Sequence, residues 1–111
     1  MPVRRAQAVI YPTPEQMSLV GILHALSDAT RMVIVTSLLE SVERPCGTFP
    51  VTVSPSTLTY HFKVLREAGL IHQREEGRRK LTSLRRDEVE ARFPGLLDSI
   101  ISTYRREPVS V

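Results

Sequence analysis

The chain has a single cysteine, which rules out a disulfide within it and fits a reducing compartment, so a cytoplasmic location is expected. No apolar run approaches the ~20 residues of a membrane-spanning helix. The opening MPVRRAQAVIYP lacks the apolar core of a signal peptide, and no membrane partner is expected. The sequence also has no glycine-rich phosphate loop, no His-Glu-x-x-His, no nucleophile elbow and no paired carboxylates beyond helix-cap acids. An enzyme is therefore not expected, nor a cofactor. The three histidines, His24, His61 and His72, stand at unrelated spacings with no i, i+4 pair, so a metal site within one chain is not expected either.

The most informative stretch is SPSTLTYHFKVLREAGL, residues 54–70. Ser54 is a strong helix N-cap, Pro55 suits the first helical position, and Gly69 supplies the left-handed residue that ends a helix. A helix over about 55–68 follows. Leu58, Phe62 and Leu65 form one apolar stripe for a core. The other face carries Ser56, Thr57, Tyr60, Lys63 and, at its edge, Thr59, which suit base edges and phosphates. With Ser54 and His61 these are the candidate DNA contacts. His61 borders the core, so it either meets a phosphate or plays a structural part.

Immediately afterwards comes LIHQREEGRRKLTSL, in which Glu76-Gly77 marks a turn between strands at about 71–75 and 79–84. Their alternation is imperfect, because Leu81 and Leu84 are three apart. A recognition helix followed at once by a basic hairpin is the winged helix-turn-helix arrangement, with Arg74, Arg78, Arg79 and Lys80 as wing candidates. Residues 54–86 carry eight basic and three acidic side chains, a net of +5, whereas the whole chain carries +3 and the remainder −2. Such concentration suits a polyanion, whose binding draws on counterion release.

The rest reads as helices around that unit, within one domain of 111 residues. Residues 1–12 form a short arm, and the domain runs over 13–106. Thr13-Pro14-Glu15-Gln16 is a capping box that starts a helix at 14, running to about 26. Its residues Met17, Val20, Leu23 and Leu26 share a face, widened by Leu19 and Ile22. Ser27 or Asp28 caps a second helix over about 29–42, with Ile34, Val35, Leu38 and Leu39 as core candidates. Asp87 and Glu90 suggest a helical turn closed at Phe93-Pro94. A last helix over about 94–106 carries Leu96, Leu97, Ile100, Ile101 and Tyr104 in two adjacent columns.

ALSDATR (residues 25–31) together with STLTYHFKVLREAGLI (residues 56–71) resembles the ArsR/SmtB family of bacterial winged-helix repressors. The matching positions are Leu26, Asp28, Thr30 and Arg31, then Thr59, His61, Phe62, Leu65, Ala68, Gly69 and Leu70, with Thr59 where the family usually has Ser. The resemblance covers residues 14 to about 104. It implies a mainly α fold with a small β-hairpin and a homodimer joined through its first and last helices. It further implies a repressor that binds double-stranded operator DNA and leaves it on a signal. Leu19, Leu23, Leu97, Ile100, Ile101 and Tyr104 are the expected interface. All five last-helix residues filling the monomer core is the competing reading.

The chain departs from the family at residues 43–53, ERPCGTFPVTV, where relatives place a regular support helix. Pro45, Gly47 and Pro50 predict a shortened or irregular element instead. Docking of the recognition helix then falls to Phe49, Val51 and Val53 beneath Leu58 and Phe62. Metal-sensing relatives carry a Cys-x-Cys pair near here, or Asp and His ligands on the last helix, and this chain has neither. Cys46 stands alone beside Arg44 and is a candidate thiol sensor, although lone cysteines are more often inert. A winged-helix protein–protein module is the other alternative, and the retained basic wing argues for DNA. The inducer and operator sequence are not legible.

Overall fold

The computed structural model describes residues 11–107, so the expected arm lies, apart from Tyr11 and Pro12, outside them. The described residues form helices α1 (Leu19–Ala25), α2 (Ala29–Ser37), α3 (Pro55–Ala68), α4 (Arg86–Arg92) and α5 (Leu96–Arg105), with strands β1 (Arg44–Pro45), β2 (Ile71–Glu76) and β3 (Arg79–Leu84). Single 3₁₀ turns occupy Pro14–Gln16 and Cys46–Thr48. The sheet is antiparallel in the order β1-β3-β2. Its third strand had no sequence signal, because two residues ending in Pro45 are too short to show alternation. That strand also explains the broken pattern in β3. Successive side chains point to opposite faces, so Leu81 and Thr82, both buried, need cover on both sides of a central strand.

The first helix starts later than its capping box suggests. The Thr13 N–H does donate to Gln16 Oε1 at 2.9 Å, but this closes only the 3₁₀ turn. Met17 then turns extended and is buried against Gly69 at the end of α3, and the helix restarts with Ser18 Oγ accepting the Gly21 N–H at 2.9 Å. Burying Met17 outweighs continuing the helix. The restart rephases the segment: Ile22, Ala25 and Leu26 face inward, while Val20 and Leu23 point out.

The second helix also stops short, at Ser37 rather than 42. The Thr36 hydroxyl donates back to the Met32 and Val33 carbonyls, and Leu39 and Glu40 bond only three residues back. A helix tightened in this way unwinds.

α3 spans the residues read as a recognition helix. Its end is a Schellman turn: Gly69, at φ +94°, donates to the Arg66 carbonyl and Leu70 donates to that of Leu65, both at 3.0 Å. Leu65 and Leu70 are fully buried alongside Ile22, Ile34, Val35, Ile71, Val89 and Leu97, forming one core under α3 and the sheet.

Inside this core sits a charged residue, Arg31, only 6% exposed. Its Nε donates to the Ala25 carbonyl at 2.7 Å and one terminal nitrogen reaches the His24 carbonyl at 3.4 Å. The other terminal nitrogen lies 3.0 Å from His61 Nδ1. Arginine has no acceptor, so Nδ1 accepts. One side chain of α2 thereby holds the end of α1 and the middle of α3. Replacing Arg31 with Ala should lower unfolding free energy by about 2–4 kcal/mol, because the Ala25 carbonyl and His61 Nδ1 lose their donor inside the core. Arg31→Lys should recover little, lacking the planar fork. Urea denaturation measures both, and an Ala variant as stable as the parent would show that the network holds nothing.

Asp28 caps α2, its Oδ2 accepting the Arg31 N–H at 3.1 Å and standing 3.8 Å from His61 Nδ1. Burial works against its ionisation, but that hydrogen bond and the adjacent positive charge of Arg31 outweigh it, holding the carboxyl below its ordinary 3.8. A depressed acid contributes stability above its unfolded value and loses it as pH falls through the folded one. The parent should therefore exceed Asp28→Asn in stability at neutral pH, with the gap closing below about pH 3.8. A gap unchanged down to the acid limit would remove the charge from the account.

Candidate nucleic-acid interface

α3 buries Phe62 and Leu65 and turns Ser56, Thr57, Tyr60 and Lys63 to solvent, with the Tyr60 ring 55% exposed. Residues 56, 60 and 63 follow one helical stripe, and Thr57 lies beside it. The other helix candidates stand elsewhere. Ser54 Oγ is the cap, accepting the Thr57 N–H at 3.2 Å and donating to Thr57 Oγ1 at 2.9 Å. Thr59 Oγ1 donates to the Pro55 carbonyl at 2.9 Å on the flank toward the wing. His61, counted among the DNA contacts, is corrected: it is buried on Arg31, and its role is structural.

The wing is a two-residue hairpin, with Glu76 opposite Arg79 and Gly77 at φ +63°. Glycine first, then a residue of negative φ, is the II′ pattern that suits strand twist. Arg78 and Lys80 are exposed near the tip. Arg74, itself exposed, grips Glu43 with both arms of its guanidinium at 2.7 and 2.8 Å and so braces β2 against the segment before β1. This bond holds the Glu43 carboxyl below the usual carboxylate range. Arg79 meets Glu76 at 3.2 Å, Arg85 meets Glu88 at 2.8 Å, and Arg86 meets Asp98 at 3.1 Å.

The basic surplus is therefore unevenly available. Four of the eight cations of residues 54–86 are matched to carboxylates, and a fifth, Arg66, donates to Gln73 Oε1 at 3.1 Å. Lys63, Arg78 and Lys80 are the exposed ones without an ion-pair partner among the described residues. They flank the polar face of α3 and the tip of the wing. Sequence reading missed Arg31 and Glu43 as positioning residues. The paired motifs that carry Arg31 and His61 contained a signal for the first, whereas 31 residues separate Glu43 from Arg74 and no pattern connects them.

The expected interface residues divide. Leu19 and Leu23 are 46% and 45% exposed, and Val20 beside them is 76% exposed. Leu97 and Ile101 are corrected to core, at 2% and 4%, while Ile100 and Tyr104 are half-buried. Cys46 is half-buried, its Sγ 3.3 Å from Thr82 Oγ1 and 3.4 Å from Gln73 Nε2. Arg44 is turned from it toward Thr48 and the Phe49 ring.

A family model described as a helix-turn-helix domain matches residues 26–74, from the end of α1 into β2. An uncharacterised HTH-type transcriptional regulator of Bacillus subtilis, YceK, is 40% identical over 82 residues, which is 71% of this chain and 82% of that protein. The chain belongs to the ArsR-type winged helix-turn-helix transcriptional regulators. HlyU from Vibrio cholerae superposes with a TM-score of 0.65 at 27% identity, over 78% of this chain and 91% of its own. An ArsR-like regulator from Rhodococcus sp. RHA1 shares the fold at a TM-score of 0.60 and 24% identity, over 79% and 84% of the two chains.

For an ArsR-type DNA-binding protein, the pairing pattern sorts the cations. Replacing Arg78 or Lys80 with Ala should lower affinity for every duplex alike and reduce the salt slope by about 0.9 per lost phosphate contact. Arg74→Ala should leave the slope unchanged and lower thermal stability, its charge being matched by Glu43. Titrations against salt measure this, and equal slope changes for Arg74 and Lys80 would overturn the division.

Proposed function

We propose that the chain is a homodimeric repressor that binds an inverted-repeat operator and leaves it on a signal. The observation that carries this reading is the coexistence of two unlike surfaces: a polar α3 face flanked by open cations, and an uncovered apolar stripe on α1. Each α3 enters a major groove, with Ser56, Thr57 and Tyr60 at base edges and Lys63, Arg78 and Lys80 on phosphates. Half-site centres then lie about 34–36 Å apart or a multiple of it. The stripe of Leu19, Val20 and Leu23 joins with Ile100 and Tyr104 of α5 as the dimer contact.

A mobility shift with the duplex upstream of the chain's own gene tests the DNA reading. Binding that shows no preference between this duplex and random sequence would remove the operator. The α5 columns test the assembly. Ile100→Glu and Leu23→Glu should give folded, helical monomers, since a symmetric contact sets two like charges across the dyad. Ile101→Glu should instead unfold the chain, its side chain being core. The monomers should keep non-specific binding and lose inverted-repeat preference, because the half-sites are no longer linked. Solution mass and circular dichroism decide, and a dimeric Ile100→Glu and Leu23→Glu would move the interface elsewhere.

A further inference from the structure

The shortened support segment leaves the underside of the recognition helix incompletely covered. A regular helix would fill the space between α3 and the wing, and here only one 3₁₀ turn and an extended run through Phe49, Val51 and Val53 do so. The result is a cavity of about 480 Å³, within the ~300–1,000 Å³ typical of small-molecule sites. Its body is apolar: those three residues face Leu58 and Phe62 of α3, with the Phe49 and Phe62 rings edge to face at 5.6 Å. Its polar end is built from Arg66, Lys80 and Gln73, and among the described residues no carboxylate lines it. Gln73 is already fixed, donating to Thr82 Oγ1 at 3.0 Å and accepting from Arg66, so it holds the Arg66 guanidinium with donors to spare.

We propose that this cavity binds a small organic anion with an apolar body, and that filling it weakens the grip on DNA. The apolar walls take the body, and Arg66 and Lys80 take the charged group. Two walls belong to the DNA-binding parts themselves: Leu58, Thr59 and Phe62 lie on α3, and Lys80 is one of the open cations of the wing. An anion bound there neutralises Lys80 and wedges α3 from below. The coupling rests on the DNA-binding reading above, whereas the binding of the anion does not.

The test uses decanoate and, as a probe with the same chain and opposite charge, decylammonium, each titrated calorimetrically into the full chain without DNA. Cys46, the one thiol, lines the same cavity and reports on its filling. Decanoate should bind saturably at one site per chain and slow alkylation of Cys46 by N-ethylmaleimide about tenfold. Lys80→Glu, an exposed substitution that leaves the core intact, should weaken decanoate about tenfold through loss of a charge-assisted contact. Val51→Trp should block binding by filling the cavity, with circular dichroism checking that it folds. Saturating decanoate should then weaken binding to whichever duplex the parent binds, and the Val51→Trp protein should not respond. Equal affinity for decylammonium, unsaturable uptake or unchanged Cys46 alkylation would overturn the site. Unchanged DNA affinity at saturation would overturn the coupling, and because the site is read without DNA, its failure is distinguishable from failure of the DNA-binding reading.

Discussion

A guanidinium has five donors, no acceptor and a permanent charge, so it can be buried only where several acceptors converge in its plane. Arg31 meets that condition: the carbonyls of His24 and Ala25 and Nδ1 of His61 arrive from two other helices. The Ala25 carbonyl is one of those left over at the C-terminal end of α1, which every helix must satisfy somehow, whereas that of His24 also accepts from Ser27. One residue of α2 thereby closes α1 and fixes the roll of α3, and Asp28 on the same turn supplies the nearest negative charge. Rotating α3 would strip Arg31 of its imidazole partner inside the core. In a helix meant to present Ser56, Thr57 and Tyr60 in a fixed direction, a directional polar bond constrains roll in a way that non-directional apolar packing does not.

This also accounts for how the helix tolerates a weak support segment. With only a 3₁₀ turn at Cys46–Thr48, what the support segment itself packs against α3 is led by Phe49 against Phe62. The Arg31–His61 bond holds the opposite flank, so α3 is gripped from one side by a polar contact and from the other by an aromatic one. The space left between that grip and the wing is the cavity lined by Leu58, Thr59 and Lys80. Shortening the support element and opening a cavity are thus one structural event.

What could be read beforehand follows the range of the forces involved. α3 was legible to the residue because Ser54, Pro55 and Gly69 act within a turn of the positions they punctuate, and the hairpin because Gly77 sets its own turn. The starts and stops of α1 and α2 were not, since Met17 leaves the helix to pack on Gly69, far along the chain, and Thr36 turns its hydroxyl on its own backbone. Column patterns on α5 gave two apolar faces but not which faced inward, because that depends on where α4 delivers the chain. The ion pairs were the least visible. Glu43 and Arg74 meet only because β1 pairs with β3, and β1 itself left no trace in the pattern.

Those pairs change what the positive charge means. The surplus of the segment suggested a broad basic face, whereas carboxylates within the fold compensate half of its cations. If Lys63, Arg78 and Lys80, the exposed unpaired cations of residues 54–86, are the phosphate contacts, they would account for a salt slope of only about 2.7 per chain. Non-specific attachment through these contacts would be weak at physiological salt, so in the proposed homodimer occupancy of one operator would depend on coupling two half-sites. Such a design gives each remaining cation a large share of the electrostatic grip. Lys80 is one of the three in residues 54–86 and borders the cavity as well as the wing, so in the proposed dimer neutralising it by a bound anion would remove about a third of their contribution from each half-site at once.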